Sequence, residues 1–414
     1  MTARLRKRWP AAVVALGLVA ASMGCTANRD SSDPVASRLI QPVETDGATY
    51  RVPASINGLR GTLLGAQAAP SGQQIRDTDR TTVLYQSLNS RGENVAVSGA
   101  LFTPKGQAPE GGWPIVSWAH GTVGVGDRCA PSRREDMAYP SYARYVDGLI
   151  HAGYAVAATD YVGLGTPGQH TYMNAVDQGN AVADIVTAAR QFEPRLSQGK
   201  WFAVGHSQGG AAVLEATRAG DSHGLPEGLA ATIAIAPGNN LGSALRNMAS
   251  GSDAYPVRSA YLAFLLSGLT ATDASFDPGS ILSSRGKEFL ATAQDLCLFD
   301  DSVNAKIPLP QSLLSGDPDS AAWKDASRRI AEYGDPDRVA TYGPVLVVTG
   351  DEDLDVPTKG TLAMVANLKR LGGQVDELVV PGEDHDRPVL STLCPQLRFL
   401  SQNGGVDSST VCAG

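Results

Sequence analysis

The stretch "WFAVGHSQGGAAVLEATRAGDSHG", residues 201–224, contains Gly-x-Ser-x-Gly twice, as Gly205-His206-Ser207-Gln208-Gly209 and as Gly220-Asp221-Ser222-His223-Gly224. With 45 glycines in 414 residues an accidental match is expected, so the surroundings of each serine decide between them. Ser207 directly follows the apolar run "WFAVG" and precedes "GGAAVLEATRAG", a helical pattern that starts with small residues. Strand, sharp turn and helix in that order lift a serine hydroxyl above the end of a parallel sheet, and glycines at 205 and 209 spare the turn a steric clash. Ser222 comes after that helix in "AGDSHGLP", which reads as helix stop and loop. Ser207 is therefore the candidate nucleophile and Ser222 the accidental match.

Working outward, "GTLLGAQAA", "RTTVLYQSL" and "NVAVSGALFTP" are strand-like, the last two joined by a turn at "NSRGE", so the domain opens with antiparallel strands. The rhythm then changes to short apolar runs, "WPIVSWAHG", "YAVAATDY", "WFAVGHS", "ATIAIAPG" and "GPVLVVTGD", alternating with helical stretches such as "AVDQGNAVADIVTAARQF" and "KGTLAMVANLKRLGG". "DELVVPGEDH" supplies a last strand. Such alternation predicts an α/β fold, a mostly parallel sheet flanked by helices. It lapses after "ATIAIAPG", where pieces such as "SAYLAFLLSGL" and "SAAWKDASRRIAEYG" are broken by glycine and proline. We read a core over residues 47–240 and 339–414, interrupted by a helical cap at 241–338. The stripe Leu262, Leu265, Leu266 and Leu269 in the cap is the kind more often used for packing than for a pocket.

A serine hydroxyl needs a base, normally a histidine oriented by a carboxylate. Six histidines are present: His120, His151, His170, His206, His223 and His385. The chain order serine, acid, histidine leaves His223, in the discounted loop, and His385, which follows the last strand. His385 is the expected base. The acid belongs at the end of the preceding strand, where "VLVVTGDEDLDVP" offers Asp351, Glu352, Asp353 and Asp355. The spacing Gly350-x-x-Asp353-x-x-Val356-Pro357 favours Asp353, with Asp351 and Asp355 in reserve. The negative oxygen of a tetrahedral intermediate needs two N–H donors: Gln208, after the nucleophile, and Thr122 in the "HGT" loop, with Gly121 the less favoured choice. His120 then shapes that loop.

Arg4, Arg6, Lys7 and Arg8 head the apolar run "AAVVALGLVAASMG", which reads as an export signal over residues 1–24. Without its four cations the 34 basic residues fall to 30 against 42 acidic ones, a surface unsuited to nucleic acid. Residues 25–46 have no apolar period and read as a linker. Ser22-Met23-Gly24-Cys25 resembles a bacterial lipoprotein signal, in which Cys25 would carry lipid and attach the chain to a membrane. It departs from that signal at Ser22 and Met23, and an ordinary cleaved signal is the alternative. Cys129, Cys297, Cys394 and Cys412 lack metal spacing and suit two disulfides in an oxidising compartment. Of three connectivities, closeness along the chain favours Cys394 with Cys412 and leaves Cys129 for Cys297. No metal ligand set is recognised, and the sequence is silent on oligomeric state.

The motifs "WAHGTVGVGDRCAPS", "ATDYVGLGTPGQHTY", "VGHSQGGAAV" and "VTGDEDLDVP", in that order, resemble the secretory lipase family, the lipase A type, of the α/β-hydrolase superfamily. The likeness runs from about residue 50 to 400. It implies carboxylic ester hydrolysis, no cofactor, a small-molecule or lipid ester as substrate, a large cap between two core strands, and a disulfide tying the "CAPS" loop to the cap. Two other readings compete: an acyltransferase or peptidase on the same triad, and a hydrolase-fold binding protein without activity.

Overall fold

In the computed structural model, which describes residues 50–70, 72–218, 226–249, 255–300, 306–338, 340–407, 409 and 411–412, the apolar runs become strands β1 (Leu63–Ala69), β2 (Thr78–Leu88), β3 (Asn94–Pro104), β4 (Trp113–Ala119), β5 (Ala155–Thr159), β6 (Leu196–His206), β7 (Leu229–Ile235), β8 (Pro344–Gly350) and β9 (Gln374–Val380). They hydrogen-bond in the order β1-β2-β3-β5-β4-β6-β7-β8-β9. β1, β2, β3 and β5 pair antiparallel, and from β5 through β4 to β9 every pairing is parallel. Every residue of β5 is buried, as expected of a strand covered on both faces; β1, at the edge, leaves Ala66, Gln67 and Ala68 exposed.

β6 begins five residues earlier than "WFAVG" suggests. The polar "LSQGK" joins the strand because Leu196 pairs with Trp113 across a register shift.

Helices α1 (Pro140–His151), α2 (Ala175–Phe192), α3 (Gln208–Arg218), α4 (Leu241–Ala249), α5 (Val257–Thr272), α6 (Ser284–Thr292), α7 (Ala321–Gly334), α8 (Thr358–Arg370) and α9 (Leu393–Gln402) complete the layers. Ala181, Val182 and Ile185 of α2, Val213 of α3 and Val365 of α8 pack on one face of the sheet, while Tyr145 and Leu149 of α1 and Leu397 of α9 cover the other. α2 starts at Asn174, whose side chain accepts the Asp177 N–H.

α4 to α7 lie between β7 and β8 and share an apolar cluster with Val125, Tyr172, Met173 and Ala211 of the core, in which Phe264, Leu266, Trp323 and Ile330 are buried. A strap holds this cap to the loop after β4. Cys297 forms an isolated bridge with Gly124, the Leu298 N–H donates to the Val123 carbonyl, and a disulfide joins Cys129 to Cys297 with Cα atoms 5.4 Å apart. A second disulfide links Cys394 of α9 to Cys412. The signal, linker and Cys25 readings fall outside the described residues, as do Ser222 and His223.

Candidate active site

The turn from β6 into α3 carries Ser207 at φ +55°, a left-handed conformation uncommon for a non-glycine residue. Its N–H donates to the Ile235 carbonyl of β7 at 2.8 Å, which fixes the turn to the neighbouring strand. A Cβ on Gly209 would overlap the Ala119 carbonyl, and one on Gly205 the Gly209 carbonyl, so both motif glycines are required by close backbone approach.

β8 and β9 end on the same side of the sheet, and the loops beyond them deliver Asp353 and His385. Ser207 Oγ lies 2.8 Å from His385 Nε2, and His385 Nδ1 lies 2.8 Å from Asp353 Oδ2. Asp353 Oδ1 accepts the Val356 N–H at 2.8 Å, so both carboxylate oxygens are held. The neighbouring acids stand elsewhere: Asp351 is exposed and accepts the Gly382 N–H, Glu352 is exposed, and Asp355 lies on the pocket wall. Burial acts strongest on the His385 pKa and pulls it down. The hydrogen bond and charge of Asp353, with the charges of Asp355 and Asp386 added, outweigh burial and leave His385 above the ordinary value of 6.5.

Two backbone donors border the serine. Gln208 is the first residue of α3, so its N–H has no acceptor within the helix. Thr122 lies in the loop after β4, and among the described residues its N–H meets no backbone acceptor. The Gly121 N–H is already given to the Tyr142 hydroxyl at 3.1 Å, which disfavours it as a donor to substrate. The loop is pinned further by Tyr139, whose hydroxyl donates to the Thr122 carbonyl at 3.1 Å, and by Tyr172, whose hydroxyl lies 2.8 Å from Thr122 Oγ1.

The remaining described histidines are not bases for Ser207. His120 turns Nδ1 to the Gly121 carbonyl, and burial lowers its pKa to about 4. His170 donates from Nδ1 to the Val162 carbonyl and, neutral, accepts the Gln208 amide at Nε2, 3.2 Å away; its pKa is also about 4, because of burial. His151 is exposed on α1. The sequence reading missed the positioning contacts of His170, Tyr139, Tyr142 and Tyr172. The quoted motif "GQHTY" carried a signal for two of them.

A cavity of about 120 Å³ opens beside Ser207. Leu245 and Met248 of α4 and Leu262 and Leu265 of α5 form its apolar wall, and Asn239, Arg258 and Asp355 its polar part. The leucine stripe of α5 is thus divided: Leu266 and Leu269 pack inside the cap, whereas Leu262 and Leu265 face the cavity as well. Among the described residues no group of three or more His, Cys, Asp or Glu side chains could hold a metal ion.

The same architecture occurs in solved structures. Candida antarctica lipase A in its closed state superimposes with a TM-score of 0.70 at 17% identity, over 86% of this chain and 85% of that one. The chain has the α/β-hydrolase fold. The rice cell wall degrading esterase LipA from Xanthomonas oryzae matches at a TM-score of 0.65 and 20% identity, over 85% of this chain and all of the esterase chain. Two family profiles match parts of the sequence: "Serine aminopeptidase, S33" over residues 137–267 and "Prolyl oligopeptidase family" over 301–399. No curated protein matches it.

Proposed function

We propose that this protein cleaves carboxylic esters, with Ser207 as nucleophile, His385 as base and Asp353 as the acid that orients it. The observation that carries this reading is the line Ser207 Oγ, His385, Asp353, with both links 2.8 Å long, at the mouth of a largely apolar cavity. His385 Nε2 takes the hydroxyl proton as Ser207 Oγ attacks the ester carbon. The carbonyl oxygen becomes negative and accepts hydrogen bonds from the N–H groups of Gln208 and Thr122, each worth roughly 10²- to 10³-fold in rate. Collapse expels the alcohol, which takes its proton from His385. Water then attacks the acyl carbon as His385 removes its proton, and collapse breaks the bond to Ser207 Oγ, which takes that proton back from His385 as the acid leaves.

The apolar wall of Leu245, Met248, Leu262 and Leu265 suits an acyl chain. Peptide hydrolysis is the second reading, favoured by the descriptions of the two partial profiles. Initial rates on nitrophenyl esters from acetate to palmitate, beside peptide nitroanilides, separate the two: ester turnover well above anilide turnover is expected, and the reverse would overturn the proposal. We further propose that the protein works outside the cytoplasm, either released or held to a membrane through a lipidated Cys25. The basic head and apolar run at the N-terminus and the two disulfides support export.

A further inference from the structure

His206, between the motif glycine and Ser207, is 1% exposed and makes two hydrogen bonds with its ring. Nε2 lies 3.0 Å from the His385 carbonyl oxygen, and Nδ1 lies 2.8 Å from the Tyr142 hydroxyl. A carbonyl only accepts, so the ring proton is on Nε2, Nδ1 is the acceptor, and the Tyr142 hydroxyl is the donor to it. The Tyr142 oxygen in turn accepts the Gly121 N–H at 3.1 Å. The protons therefore run one way, from Gly121 through Tyr142 and His206 to His385. A neutral ring is required, and burial, helped by the neighbouring His385, lowers the His206 pKa to about 3. Asp386, the other charged group nearby, is mostly exposed and 3.9 Å away.

Both ends of this line are backbone groups of the loops that flank the reacting serine. One end is the N–H next to Thr122; the other is the carbonyl of His385 itself. We propose that Tyr142 and His206 are positioning residues that hold the loop of the oxyanion donor and the loop of the base in register with each other across Ser207. Buried polar groups need partners anywhere in a fold, but here three consecutive bonds join two loops that no strand pairing connects, one following β4 and the other β9. The space is also committed to the contact, since a Cβ on Gly121 would overlap the Tyr142 hydroxyl. Tyr142 is placed independently of its hydroxyl by edge contacts with Trp118 at 5.4 Å and Tyr139 at 5.3 Å between ring centroids.

The inference rests on the roles proposed for Ser207, Thr122 and His385, and a fluorophosphonate probe tests it apart from the ester reading, because phosphonylation needs the serine, the base and the oxyanion donors but no ester. Tyr142→Phe keeps the ring and deletes the middle of the line. A misplacement on the order of 1 Å costs about 100-fold, so both the labelling rate constant and kcat should fall by roughly 10- to 100-fold with KM little changed. His206→Leu keeps the bulk of the ring but neither of its polar atoms, so both bonds are lost, and it should fall by a similar amount. Since both changes break one line, the double variant should lose no more than the worse single one. A folded Tyr142→Phe protein that labels at the wild-type rate would overturn the proposal. So would a change in KM alone, or losses that multiply in the double variant. Should Tyr142→Phe fail to fold by thermal melting, His206→Leu carries the test, and an unchanged kcat there is equally decisive. A wild-type protein that labels yet cleaves no ester would overturn the ester reading and leave this test intact.

Discussion

Ser207 Oγ stands 2.8 Å from His385 Nε2 although 178 residues separate the two in the chain. Parallel strands explain the meeting. β6 and β9 run in one direction, so the loops at their C-terminal ends open on the same edge of the sheet, where side chains from distant segments converge.

Asp353→Asn should lower kcat by about 10⁴-fold with folding intact, because an amide supports neither the required tautomer nor the imidazolium. Asp351→Asn should leave kcat near wild type, since Asp351 only braces the Gly382 N–H. Steady-state kinetics beside thermal melting check both, and a crippled Asp351→Asn with a healthy Asp353→Asn would move the acid by two residues.

The pH dependence has a definite sign. Only neutral His385 accepts the proton of Ser207, and Asp353 raises its pKa despite burial. kcat/KM should therefore climb with pH through a limb centred above 6.5, the ordinary value for histidine. Asp355 contributes to the raised pKa from the pocket wall without touching the imidazole. Asp355→Asn should hence keep most of the activity and move the limb to lower pH. A limb that moves upward would contradict the sign.

The strap at Cys297 gives a separate expectation. The Cys129–Cys297 disulfide closes a loop across a separation of 168 residues, for which chain entropy suggests a stabilisation of about 5 kcal/mol before strain and residual structure reduce it. Cys297→Ser should lower the melting temperature and impair bulky esters more than acetate, because the cap supplies the acyl wall while Ser207, Asp353 and His385 sit on core loops. Equal losses on all esters would show that the strap acts on the reacting groups instead.

Leu265 tests the acyl wall directly. A larger side chain there, as in Leu265→Trp, narrows the cavity, so hexanoate and octanoate esters should lose rate relative to acetate while kcat on acetate stays within about threefold. An unchanged chain-length profile would place the acyl group elsewhere.

Ser207, Asp353 and His385 could be picked out of the sequence because each ends or follows a short apolar run, a pattern that survives in one dimension. Tyr142 could not. Its segment "MAYPSYARYV" presents aromatic and apolar residues that read as core, which Tyr145 and Val146 are, and nothing in that pattern says that one hydroxyl reaches Gly121 and His206. His206 fills the variable place of the motif, so its partners depend on which loops come to lie over it. The leucine stripe of α5 shows the same limit: helical period groups Leu262, Leu265, Leu266 and Leu269 on neighbouring faces, but only the packing of the cap against the core decides which of them also line the cavity.

The most direct measurement of the central claim is to treat the protein with a fluorophosphonate and map the adduct by peptide mass spectrometry, in parallel with ester hydrolysis by Ser207→Ala and Ser222→Ala. One adduct is expected, on Ser207, with loss of hydrolysis in Ser207→Ala and near wild-type rates in Ser222→Ala. An adduct on Ser222, or ester hydrolysis that survives Ser207→Ala, would contradict it.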